Sequence, residues 1–197
     1  LGGPLRLDVR TQTGTVQVQA QGRVTAAGMA PWLGEAAGTR LTGQTVWRGQ
    51  IDIEAGGERV RVESDLAGLG STLPAPLTKP AAQVLSFTAN SQPVPGGRVH
   101  EVKLGRILGA VWRSDDSDRF ARGEIHFGGA AVMPGDSGLR LAGSGAGLDI
   151  SGWMGLLPDG TGDSGAQLST VDLSFDTFDL MGRRFQDVRL QGRTRNN

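Results

Sequence analysis

The chain has no cysteine, no excess of either charge and no long apolar run, and each absence removes a class of function. Without Cys there are no disulfides, no thiolate zinc sites and no cysteine nucleophile. Lys plus Arg equals Asp plus Glu at 20 each, so no net field gathers a nucleic acid or an anionic bilayer. The longest apolar stretches run a few residues, far short of the roughly 20 that cross a bilayer as a helix, and any membrane anchor is expected outside this chain. The opening Leu1-Gly2-Gly3-Pro4 has neither an initiator Met nor the basic and apolar regions of a signal peptide. The chain is therefore expected to be a piece of a longer one. What is abundant is glycine, 32 of 197 residues, alongside 9 prolines. Together they stay below the roughly 25–30% of low-complexity disorder, so the chain is expected to fold, with many turns, around a substantial core.

Apolar residues recur at every second position, the period of strands with one dry and one wet face. Leu5, Leu7 and Val9 alternate with Arg6, Asp8 and Arg10, and Val16, Val18 and Ala20 with Gln17, Gln19 and Gln21. Ile51 and Ile53, then Val60 and Val62, flank Gly56-Gly57 and predict a hairpin. The pattern continues through Leu85, Phe87 and Ala89, Val99, Ile125 and Phe127, Leu139 and Leu141, Leu148 and Ile150. It closes with Val171, Leu173 and Phe175, then Phe178 and Leu180, then Val188 and Leu190. Parallel βαβ sheets bury both faces and need long helical crossovers, so the fold expected is all-β and mostly antiparallel. Two short helices interrupt it at strand ends. Met29, Trp32, Leu33 and Ala36 fall at i, i+3, i+4 and i+7, while Ser151 to Leu157 has Ser151 as N-cap and Pro158 as stop. Each follows a strand and carries one Trp, which suggests a weak internal repeat, about 1–125 and 126–197, within one module spanning 1–197.

The search for chemistry yields no catalytic constellation. His100 and His126 lie in strand patterns without a triad or metal partner at recognisable spacing, and are read as surface or edge histidines. No G-x-S-x-G elbow is present. Gly143-Ser144-Gly145-Ala146-Gly147 lacks the Lys and long helix of a phosphate loop and is read as a hairpin turn. Asp115-Asp116-Ser117-Asp118 is the densest carboxylate cluster, but Phe120 and Ala121 stand where a calcium loop needs an oxygen ligand and a glycine, so it is read as a solvated loop. Trp32, Trp47, Trp112 and Trp153 are read as core or caps over open sheet ends rather than a sugar site. The chain is expected not to be an enzyme, and to use no metal and no cofactor.

One segment departs from the alternation. Ser64-Asp65-Leu66-Ala67-Gly68-Leu69 leads into Leu73-Pro74-Ala75-Pro76-Leu77-Thr78-Lys79-Pro80-Ala81, where prolines lack amide donors and hold their predecessors extended. It predicts a rigid excursion outside the ladder at a sheet edge. By contrast, Gln92-Pro93-Val94-Pro95-Gly96-Gly97 reads as a plain turn. The S-D-L-x-G-L and L-P-x-P-L-x-K-P-A spacing resembles the YhdP branch of the AsmA-like proteins of Gram-negative bacteria. The Gly152-Trp153 element and the closing strands around Met181-Gly182-Arg183-Arg184-Phe185 are similar to the later part of such chains. The resemblance implies a curled sheet forming an open groove, in a periplasmic body that belongs to an inner-membrane-anchored protein. It also implies passage of phospholipid between inner and outer membranes, with acyl chains as the partner and no catalytic residues.

On that reading the groove is lined by Val16, Val18, Ile51, Ile53, Val60, Val62, Leu85, Phe87, Ile125, Phe127, Leu139, Leu141, Leu148, Ile150, Val171, Leu173, Phe175, Val188 and Leu190. No nucleic acid is expected as partner, and the chain is expected to be monomeric. Periodicity alone fits a sandwich, a barrel or a trough equally. The rival function is therefore a structural or adhesive β-sandwich or solenoid module of an envelope protein, with a filled core and no lipid.

Overall fold

The computed structural model describes residues 4–12, 14–156 and 167–194. The alternating segments form β1 (Leu5–Gln12), β2 (Thr15–Thr25), β3 (Leu41–Glu54), β4 (Gly57–Ser64), β5 (Leu69–Ser71), β6 (Phe87–Val94), β7 (Gly97–Leu104), β8 (Leu108–Ser114), β9 (Phe120–Phe127), β10 (Gly138–Asp149), β11 (Leu168–Leu180) and β12 (Arg183–Arg193). They make one open 12-stranded sheet in the order β1-β2-β3-β4-β6-β7-β8-β9-β10-β11-β12, with β5 paired to the start of β3. Among the described residues, strand accounts for 62% and helix for 9%. The short turns β1/β2, β3/β4, β6/β7 and β8/β9 all fall along one edge of the sheet, called here the turn edge. The helices, β5 and the proline segment lie along the opposite, helical edge.

Two pairings depart from the antiparallel expectation, because β10 runs parallel to both β9 and β11. No helix is needed to cross from β9 to β10. Residues 128–137 pass over the polar face, where Gly109 leaves room: a Cβ there would lie 2.8 Å from the Ala131 nitrogen and the Gly129 oxygen. The crossing chain is tied down when the Val132 amide donates to Glu124 Oε1 (3.2 Å). Glu124, 2% exposed, also meets His126 Nδ1 at 3.0 Å and Arg140 at 3.4 Å, so its buried carboxyl oxygens are partnered.

Gly143 to Gly147 is not a turn. It lies within β10, paired with β11 along its length, and Gly143 is the last residue that also pairs with β9. The glycines are there because the adjoining strands crowd in: a Cβ on Gly143 (φ +107) would overlap the Phe127 carbonyl, and one on Gly145 would sit 2.9 Å from Phe175 Cε1. Glycine in a strand interior often marks such close approach.

The first helical segment divides in two, α1 (Ala26–Leu33) and α2 (Glu35–Gly38), because Gly34 takes φ 83 between them. Thr25 caps α1 through its side chain and the Gly28 amide. The later helix, α3 (Ile150–Met154), starts earlier than Ser151 predicts. Asp149 is its N-cap, accepting from the Gly152 amide at 2.8 Å, and Ser151 Oγ instead accepts from the Met181 amide. Pro158 lies outside the described residues.

The proline segment stays outside the ladder, as its sequence predicts. Ser71 and Lys79 form an isolated bridge at its base, and the residues between them project as a strap whose Ala75–Pro76 peptide is cis. Lys79, itself buried, anchors the base by donating to the carbonyls of Leu66 (2.8 Å), Leu69 (2.7 Å) and Pro80 (3.2 Å). At the tip, the Ala75 carbonyl accepts from the Asp149 amide (3.2 Å) and from Trp153 Nε1 (2.9 Å). Four residues reach at most ~14 Å, whereas a flat sheet would hold β5 and β10 at least five ~4.8 Å intervals, about 24 Å, apart. The sheet is therefore bent along its helical edge. Two small cores form there, one around Ala26, Leu41, Leu69 and Leu73, the other around Leu148, Leu173, Phe175 and Phe178, and Trp153 packs against both.

Candidate functional site: the apolar face of the sheet

Register carries the alternation of single strands across the whole sheet. Following Cα partners from β1 to β12, one row reads Leu7, Ala20, Gly49, Val62, Ala89, Val102, Ala110, Ile125, Leu141, Val171, Gly192. It crosses every strand of the main path without one polar side chain. The row beside it, toward the helical edge, runs Leu5, Gly22, Trp47, Ser64, Phe87, Leu104, Leu108, Phe127, Gly143, Leu173, Leu190. Its only hydroxyl is satisfied by the protein, Ser64 Oγ donating to the Val46 carbonyl at 2.7 Å. A third row, toward the turn edge, runs Val9, Val18, Ile51, Val60, Ser91, His100, Trp112, Gly123, Leu139. At ~4.8 Å per strand and ~3.4 Å per residue, the three rows make an apolar band about 48 Å long and about 14 Å deep. The alternate rows, such as Asp8, Gln19, Gln50, Arg61, Asn90, Glu101, put charge and amides on the other face.

Most of this band is half-buried, with no second sheet over it among the described residues. Val16, Val18, Ile51, Val60, Val62, Phe87, Ile125, Phe127, Leu139, Leu141, Val171, Val188 and Leu190 are placed so, and Ile53, near the turn edge, is 45% exposed. Leu148, Leu173 and Phe175 differ: they are buried in the core at the helical edge, with Leu173 only 4% exposed. Leu85 and Ile150 are not in strands. Leu85 precedes β6, its amide donating to the Asp65 carbonyl, and Ile150 opens α3.

The central strands complete the band with residues that single-strand reading passes over. In β7 the apolar face is Val102 and Leu104, while Val99 pairs Gln92 and Arg113 on the polar face. Alternation with Glu101 and Lys103 is the signal that identifies Val102 and Leu104. In β8 it is Leu108, Ala110 and Trp112, masked in the sequence by Val111 between them. His100 is not a surface histidine: it is half-buried on the apolar face, stacked on Trp112 with centroids 4.9 Å apart. Burial holds its pKa below the usual 6.5, Arg98 adding to the shift and Asp118 opposing it. Trp32, by contrast, stands 72% exposed on α1 rather than in a core.

At the turn edge the apolar face ends on a charged rim, where Arg98 meets Glu58 at 2.9 Å. In the nearby Asp115 loop, the carboxylate accepts from the Ser117 and Arg119 amides and pairs with the Arg119 guanidinium, which lowers its pKa. Among the described residues no three His, Asp or Glu side chains are grouped to hold a metal, and no helix is long and apolar enough to cross a membrane.

A long open sheet with one continuous apolar face and one charged face defines the class of protein: an open, mostly antiparallel β-sheet protein. The YhdP protein family model matches residues 1–197, and the chain belongs to that family. It is thereby a bacterial envelope protein of the AsmA-like group, which is not an enzyme family. Searches of curated proteins and of solved structures each find no match.

Proposed function

We propose that this chain is a segment of a bridge-like periplasmic protein that passes phospholipid between inner and outer membranes, its acyl chains lying along the apolar face. The observation that carries the reading is the row from Leu7 to Gly192, apolar at every strand and half-open to solvent. Partitioning supplies the mechanism. Each buried CH₂ is favoured by about 0.8 kcal/mol over water, so a chain stays on the band. The central row, made of Val, Leu, Ile, Ala and Gly alone, offers no polar side chain to stop sliding, and the polar headgroup remains in water.

The test places a photoreactive residue at Val102 in the full-length parent protein, with Glu101 on the opposite face as control. Irradiation in cells is expected to capture phospholipid at Val102 and none at Glu101. No lipid at Val102, or equal capture at both, would replace this reading with that of a structural envelope module.

A further inference from the structure

The strap does more than bridge β5 and β10: it roofs a cavity of about 400 Å³, within the ~300–1,000 Å³ of small-ligand sites. Ala75 and Pro76 form the roof, and Phe127 and Phe175 form a wall, packed edge to face with centroids 5.5 Å apart. Gly145 and Gly147 put no side chain into the space, and Ile107 closes the side toward β8. Arg106 and Ser144 also line it, and both are exposed. Arg106 makes no ion pair or side-chain hydrogen bond among the described residues, whereas the two clefts on the polar face are lined by opposed charges such as Arg48 with Glu63 and Arg59 with Asp52. An apolar cavity with a free guanidinium beside it matches an amphiphile carrying an anionic head, since a guanidinium binds phosphate oxygens through paired N–H donors.

We infer that the cavity under the strap is a subsite for one acyl chain of a phospholipid whose phosphate rests on Arg106. This rests on the lipid reading above and adds a place where a lipid dwells, set apart from the open band where it slides. The cavity joins the band through Phe127, which belongs to both.

The experiment uses the full-length parent protein with photoreactive residues at Ile107, inside the cavity, and at Val102, on the open band. Both are expected to capture phospholipid. Ala146→Trp fills the cavity from an exposed, cavity-lining position and is expected to abolish capture at Ile107 while leaving Val102 unchanged. Arg106→Gln changes an exposed side chain and is expected to lower capture at Ile107 several-fold, again sparing Val102. Capture at Val102 with none at Ile107 overturns the subsite and leaves the band; capture at neither overturns both. Free fatty acid rather than phospholipid at Ile107 also overturns it. Should Ala146→Trp disturb both positions, Arg106→Gln decides, and equal capture at Ile107 in that variant counts against the assignment.

Discussion

Leu173 and Val102 occupy neighbouring rows of one face, each flanked by polar residues in its strand, yet their surroundings differ. Leu173 is sealed among Leu148, Phe175 and Phe178, whereas Val102 is half-open to solvent. Leu173→Asp buries an unpaired carboxylate and is expected to cost several kcal/mol, enough to unfold a marginal domain. Val102→Asp lets its carboxylate reach water and is expected to cost about 1 kcal/mol. Thermal melts of the purified chain compare the two, and equal costs would mean that Val102 is covered. His100 adds a pH dependence. With its folded pKa held below 6.5 by burial, the folded state prefers the neutral ring, so the stability it contributes is complete above pH 6.5 and is lost as pH falls through the lowered value. His100→Phe keeps the stack on Trp112 and removes the titration. Its melting temperature is expected to fall less between pH 7 and 5 than that of the unaltered chain, and parallel curves would count against the burial argument.

β10 is the element on which the helical edge turns. It has parallel neighbours on both sides, carries glycine at 143, 145 and 147, and ends in the Asp149 cap that meets the strap. Its ladder to β11 skips Ala146 and Asp176 without losing register, and the β11 ladder to β12 skips Asp176 and Asp187, the latter with φ 51. Phe175 and Phe178, three residues apart, thereby share one core. The slip is visible in the sequence as Val171, Leu173, Phe175 followed by Phe178 and Leu180. What periodicity does not convey is whether such a slip ends a strand or bends it, and a glycine cluster looks the same in a turn as beneath an aromatic ring. Gly143→Ala is expected to destabilise by about 3 kcal/mol, combining a positive φ with overlap on the Phe127 carbonyl. Gly56→Ala, with nothing within 4 Å of the added Cβ, is expected to stay within about 0.5 kcal/mol. Denaturant unfolding of both variants checks the pair.

Taken as one body, the molecule keeps its buried apolar side chains near the helical edge and leaves the rest of the apolar face half-exposed. A face of this size is larger than the apolar patches a monomeric soluble protein ordinarily exposes. The purified, folded chain is expected to enhance the fluorescence of an anilinonaphthalene sulfonate dye and to lose that enhancement on unfolding. A sandwich with a filled core would give no native-state enhancement, which is the outcome that would sink the open-face description. The same view explains Trp153, which joins the two cores and, together with the Asp149 amide, holds the strap at the Ala75 carbonyl.

The all-β class, the positions of most strands, the β3/β4 hairpin and the exclusion of the proline segment from the ladder follow from local chemistry. Side-chain alternation, turn glycines and missing amide donors act within a few residues, and the chain states them directly. Strand order, the parallel setting of β10, the strap's contact with α3 and the burial of Leu173 rest on pairs distant in sequence, such as Ala75 with Trp153. An alternating strand is equally suited to either hydrogen-bonding neighbour and either direction, so only the assembled sheet decides which apolar residues are sealed and which stay open.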